Sequence, residues 1–238
     1  SAGYAVFPQV TCRLLNFEFR FEQPFLFQSM PAFAPVNKAD RAEKLRLYAD
    51  NSFRAEFRDA MRGPMLNAWD KAVIAHCPDR PEFGERLVCD VAAELGCNSI
   101  DLALDISIQS DLQTRFRLPV ANADEDEVAT LLRDSCTVLG LSDAGAHASQ
   151  LCDACFSTHL LGRWVREKRV LTLEEAVRML TSRPAEVFGI KDRGRLAVGM
   201  PADVLIFDAE TVGASPLRGV CYLPAGEDRL ISDASGIS

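Results

Sequence analysis

The stretch TVLGLSDAGAH, Thr137–His147, decides how this chain is read. Thr137, Val138 and Leu139 form a β-branched, apolar run of the kind a buried strand uses. The run ends at Ser142-Asp143, and Ala144, Gly145, Ala146 and His147 follow. In parallel α/β folds the carboxyl ends of the strands carry the chemistry, so a polar residue directly after a buried strand stands in a functional position. The small residues beyond Asp143 leave room beside its carboxylate for a metal or a substrate. A second reading stays open, because Asp between a strand and a helix is also a common N-cap.

Composition narrows the classes. The chain has 238 residues, 48% apolar and 25% charged, the balance of a globular protein. Its net charge of -8 and the absence of a basic stripe argue against nucleic-acid binding. No apolar run approaches the roughly 18 residues of a membrane helix, and no leader with a basic start is visible. The expectation is a cytoplasmic protein with no membrane partner. The eight cysteines lie in apolar surroundings and read as reduced thiols. Cys152-x-x-Cys155 is a single pair, whereas a structural zinc site wants two, so it is read as helix packing.

Outward from Thr137 the pattern alternates between short strands and helices. GYAVFPQVTC reads as a buried strand, and NFEFRFEQPFLF shows period-two alternation of Phe17, Phe19 and Phe21 with Glu18, Arg20 and Glu22. That second run is a half-buried edge or an aromatic wall over a pocket. Two helices are predicted between Ala39 and Arg62, the second capped by Ser52. KAVIAHC is a brief strand, FGERLVCDVAAELG a helix ended by Gly96, SIDLALDISIQSD a helix capped by Ser99, and TRFRLPVAN is extended. DEDEVATLLRD carries acids in its first turn, matching the helix dipole. TLEEAVRMLT opens on a Thr172–Glu175 capping box, and RPAEVFG is a short helix. GRLAVGMPADVLIFD is predicted as strand, glycine turn, strand. The fold class is therefore α/β.

LGLSDAGAH, TLEEAVRMLTSRPAEVFGIKDRGRLAVGMPADVLIFD and YLPAGEDRL, taken in order, resemble the C-terminal part of the amidohydrolase superfamily. They are most similar to the D-aminoacylase group, the N-acyl-D-amino-acid deacylases, and GYAVFPQVTCR and FGERLVCDVAAELG extend the resemblance over nearly the whole chain. The resemblance implies the last two strand/helix units of a TIM-like, metal-dependent hydrolase barrel plus a helical insertion. It assigns 1–188 to a partial barrel, with the inserted helical region at about 38–135. Residues 189–238 would be the C-terminal part of a small composite β domain. The long insertion reads as a lid or wall over the active site.

By the same resemblance Asp143 is the general acid/base and a metal neighbour, and the reaction is hydrolysis of the amide bond of an N-acyl amino acid or a related small-molecule amide. The family's Asp-x-Tyr-Pro-Tyr strand is replaced here by Phe7-Pro8-Gln9, so Gln9, Arg13 and His147 become the candidate substrate-binding residues. An arginine fork suits a carboxylate, although Arg13 also reads as a structural arginine. The family's cofactor is one or two zinc ions, held by a His-x-His and by further histidines. His76, His147 and His159 are this chain's three histidines, and none are so spaced. A barrel alone takes about 250 residues. The expectation is a portion of a longer or split enzyme, inactive and without zinc by itself. The alternative is a non-catalytic half-barrel assembly module that needs the missing N-terminal part or self-association.

Overall fold

The computed structural model describes residues 6–61, 63–140, 150, 154–221 and 228–238. Asp143, His147 and Cys152 lie outside the described residues. The strands are β1 (Gln9–Val10), β2 (Leu15–Arg20), β3 (Val73–His76), β4 (Arg86–Leu87), β5 (Arg115–Ala121), β6 (Val138–Leu139), β7 (Gly213–Ala214), β8 (Arg218–Cys221), β9 (Asp228–Ile231) and β10 (Ala234–Ser235). The α-helices are α1 (Arg41–Ala49), α2 (Asn51–Ala60), α3 (Pro64–Trp69), α4 (Val88–Leu95), α5 (Ser99–Gln109), α6 (Glu125–Arg133), α7 (Phe156–His159), α8 (Leu173–Leu180) and α9 (Ser182–Phe188). The α/β class is what the alternation predicted. Two compact units divide the chain: Asn16–Val120, and Ser1–Leu15 together with Ala121–Ser238.

The unit Asn16–Val120 is built on a four-stranded sheet in the order β2-β5-β3-β4, with β3 antiparallel to both β4 and β5. It overlaps the inserted region expected at about 38–135 and begins earlier because β2 belongs to its sheet. Phe19 and Phe21 are core residues rather than the wall of a pocket, buried with Phe27, Phe33, Phe57 and Trp69. Edge-to-face contacts join the rings, such as Phe33–Phe57 at 4.8 Å between centroids and Phe21–Tyr48 at 5.4 Å. That geometry adds to the gain from burial alone. The Tyr48 hydroxyl donates to the Phe21 carbonyl at 2.7 Å. Burial also pushes the Tyr48 phenol above its ordinary range.

Alternation fails at Glu18, which it placed in solvent. The residue is 4% exposed, between Arg115 at 3.4 Å and Arg117 at 3.5 Å. Desolvation raises its pKa, against the pull of Arg117 and Arg115. Helix starts are also displaced from the predicted caps. Asp50, not Ser52, closes α2 by accepting from the Ser52 and Phe53 amides, and Asn98, not Ser99, caps α5. In each case a carboxylate or amide oxygen just upstream reaches the open amides first.

In the other unit β1 and β6 pair in parallel, Gln9 beside Val138 and Val10 beside Leu139. α6 is capped by Asp124, and α8 carries the reciprocal Thr172–Glu175 box read from sequence. α7 runs directly into a π-helix, Leu160–Glu167. Leu160, Leu161, Trp164, Val10, Cys12 and Ala176 form the core of this unit. The predicted strand–turn–strand over GRLAVGMPADVLIFD is a correction: among the described residues of that stretch the only ladder contact is the single bridge Phe207–Ile237. Leu196, Val198, Val204, Leu205 and Ile206 are 58% exposed or more. Before that bridge, at 194–205, no ladder partner is found among the described residues, so the extended segment does not register as a strand. Gly194 still has a packing reason: at φ +87° a Cβ there would sit 2.9 Å from the Thr181 carbonyl. Arg193 pairs with Asp203 at 2.5 Å.

Candidate functional site

β1 and β6 run in the same direction, so Thr11 and Gly140 leave the pair at the same end. Beyond β1 the chain is held at three points. The Trp164 indole donates to the Cys12 carbonyl at 2.7 Å, the Cys12 thiol donates to the Phe156 carbonyl at 3.2 Å, and Asn122 donates to the Arg13 carbonyl at 3.3 Å. These bonds bring Arg13 to the wall of a cavity of about 430 Å³. His159, Arg163 and Arg166 line the same cavity, as do Ser215 and Ser235.

The helical wall has a simple origin. His159, Gly162, Arg163, Arg166 and Glu167 recur at the spacing of one helix face, while Leu160, Leu161 and Trp164 point into the core. Gly162 is required for the close approach of β7, since a Cβ there would meet the Val212 carbonyl oxygen at 2.8 Å. Arg166 reaches across that contact, its Nη1 donating to the carbonyls of Val212 at 2.5 Å and Ala209 at 3.3 Å. Arg163 forks onto Glu125 at 2.8–3.1 Å and onto Glu167 at 2.9 Å. Burial lowers the His159 pKa to about 4, aided by Arg13 and then Arg163. The imidazole is therefore neutral at pH 7 (roughly three units above that value).

The predicted site residues separate. Arg13 is on the cavity wall, but Gln9 is not. Gln9 is exposed on β1 and lies against Gly140, where an added Cβ would stand 3.0 Å from the Gln9 Cβ. Asp143 and His147 fall outside the described residues. Among the described residues no group of three or more His, Cys, Asp or Glu side chains could hold a metal ion. Cys155 is a buried thiol, 2.9 Å from the Ser232 carbonyl. Also among the described residues, no helix is long and apolar enough to cross a membrane. Sequence reasoning passed over Arg163 and Arg166, whose only signal was their three-residue spacing beside an apolar helix stripe.

The sequence pattern of the amidohydrolase family matches residues 47–218, and the chain belongs to that family. Within it, the chain is similar to a deacylase of an N-acyl-D-amino acid. It is 40% identical over 146 residues to an N-acyl-D-glutamate deacylase of Alcaligenes xylosoxydans xylosoxydans, covering 60% of this chain and 28% of that protein. It is 31% identical over 227 residues to an uncharacterized protein of Mycobacterium tuberculosis, covering 84% and 36%. The solved N-acyl-D-glutamate deacylase of Bordetella bronchiseptica, complexed with zinc and a phosphonate inhibitor, aligns with a TM-score of 0.37 at 33% identity, covering 59% and 28%. The chain thus spans about a third of the length of the curated relatives it matches.

Proposed function

We propose that this chain contributes to a zinc-dependent hydrolase that cleaves the amide bond of an N-acyl amino acid, with Asp143 as general acid/base and metal neighbour. The match across 47–218, which encloses Asp143, is the observation that carries this reading. The parallel pair β1–β6 supports a place in the last strand/helix units of a TIM-like barrel, with Asp143 three residues beyond Gly140 in sequence. On this reading 1–188 belong to the barrel with its insertion, and 189–238 to the composite β domain. Gln9, Arg13 and His147 serve the substrate side. On the same reading the histidine ligands belong to other segments of the enzyme, and the chain by itself is inactive. A cytoplasmic setting agrees with the free thiols of Cys12, Cys77, Cys89, Cys97, Cys136 and Cys155.

Asp143→Ala in the intact enzyme tests the proposal. Turnover of N-acyl-D-amino acids should fall by at least about a thousandfold, the scale of losing a proton-transfer group in a metal site, with the melting temperature kept. Retained activity rejects the role of Asp143. One observation favours the second reading, an assembly module: Leu196, Val198 and Leu205 are exposed at 78%, 107% and 63%.

A further inference from the structure

The parallel pair β1–β6 has two faces of different character. Val10 belongs to the core with Leu160, Leu161 and Trp164, and Leu139 packs against that core. Neighbours along a strand point to opposite sides, so Gln9 shares the other face with Val138 and Gly140. None of these three residues is charged. Gln9 is exposed, and its carboxamide makes no hydrogen bond among the described residues. Its side chain leans toward the carboxyl end of the pair. In register Gln9 stands beside Val138, yet its Oε1 lies over Gly140, two residues further along, 3.2 Å from where a Cβ there would stand. The Gln9 Cβ and Cδ lie 3.0 and 3.5 Å from the same point. The Gly140 amide donates to the Val10 carbonyl at 2.9 Å, and its φ is outside the left-handed region, so the backbone does not call for glycine. What glycine provides here is the space that the Gln9 side chain fills. Asp143 follows three residues later in sequence. A carboxamide both donates and accepts, so its complement is another neutral group that does the same. A carboxylate brought to this face would lose water with no counter-charge on the face, and an apolar group would leave the carboxamide unsatisfied.

We propose that Gln9 is a specificity-determining residue of the hydrolase, and Gly140 the positioning residue that makes room for it. Together they select an N-acyl amino acid whose side chain is neutral and hydrogen-bonding, of the glutamine or asparagine type. This inference rests on the hydrolase reading given above.

The test compares kcat/KM of the intact enzyme for three substrates of similar length: N-acetyl-D-glutamine, N-acetyl-D-glutamate and N-acetyl-D-methionine. The glutamine substrate should be preferred over each of the others by at least about tenfold. Gln9→Leu should bring its ratio to the methionine substrate down to about one or below. Gln9→Lys should raise the glutamate substrate relative to glutamine by at least about tenfold, because an ammonium supplies the missing counter-charge. Gly140→Ala keeps the ladder bond but displaces the carboxamide, and should lower the glutamine preference at least about threefold. A glycine needed only for folding would change stability, or all three rates together, and leave the ratios alone. Melting curves check the fold of each variant. Ratios unmoved by Gly140→Ala strike Gly140 from the proposal. A parent that favours glutamate or methionine, or ratios unmoved by both Gln9 variants, overturns the assignment of Gln9, while turnover itself upholds the hydrolase reading. No turnover of any of the three by the parent rejects that reading, and this inference falls with it.

Discussion

The Trp164 indole nitrogen lies 2.7 Å from the Cys12 carbonyl oxygen, a buried bond between residues 152 positions apart in sequence. It fastens the π-helix to the segment that carries Arg13. Trp164→Phe keeps most of the apolar ring and leaves the carbonyl without that donor. An unsatisfied buried acceptor costs about 1–3 kcal/mol, so the urea midpoint of this unit should fall accordingly. An unchanged midpoint would mean that water replaces the indole.

Gly162 should tolerate no side chain. A Cβ meets the Val212 carbonyl oxygen at 2.8 Å and the Gly213 Cα at 3.1 Å, both backbone atoms that cannot swing away. Gly162→Ala removes a flexible residue from a helix, which alone would stabilise by up to about 1 kcal/mol. Overpacking costs typically 1–3 kcal/mol and should win. The expected result is a lower melting temperature, read by circular dichroism. A gain in stability would show that β7 can retreat.

His159 makes the stability of its unit depend on pH. Its pKa is about 4 folded against an ordinary 6.5, because burial, Arg13 and Arg163 oppose protonation more than Glu167 and Glu125 favour it. Between those values the unfolded chain holds a proton that the folded chain does not. The contribution is therefore complete above pH 6.5 and is lost as pH falls toward 4. From about pH 7 to about pH 5 the loss should reach roughly 1–2 kcal/mol, after allowance for partial solvent exposure. Urea titrations of the parent and His159→Gln should converge as pH falls. Parallel curves would contradict the burial of a neutral imidazole.

Local rules read well wherever neighbours in sequence decide the structure. The Thr172–Glu175 box, the left-handed Gly96 and Gly189, and the strands around Phe19, Ile74 and Phe116 follow from spacing and residue type alone. Glu18 does not, because its burial depends on Arg115 and Arg117, nearly a hundred residues away. The cavity is illegible for the same reason: Arg13, Arg163, Ser215 and Ser235 come from four separate stretches. Asp143 stood out through its strand and its following motifs, whereas Arg166 became visible only with its carbonyl partners.

The apolar run around Leu205 makes the last prediction. Val204, Leu205 and Ile206 are exposed at 58%, 63% and 68%, with Leu196 and Val198 at 78% and 107%. Contiguous exposed apolar surface favours association with a partner or with another copy. Each side chain that becomes covered contributes about 1.5–3 kcal/mol at most, so two or three suffice for a measurable complex. Sedimentation velocity of the full chain should show a mass that rises with concentration, from about 1 to about 100 µM. Leu205→Lys should shift that rise to higher concentration without lowering the melting temperature, because Leu205 gives up little burial in the isolated chain. A monomer throughout the range, for parent and variant alike, would remove the assembly reading and leave the exposed run without a role in association.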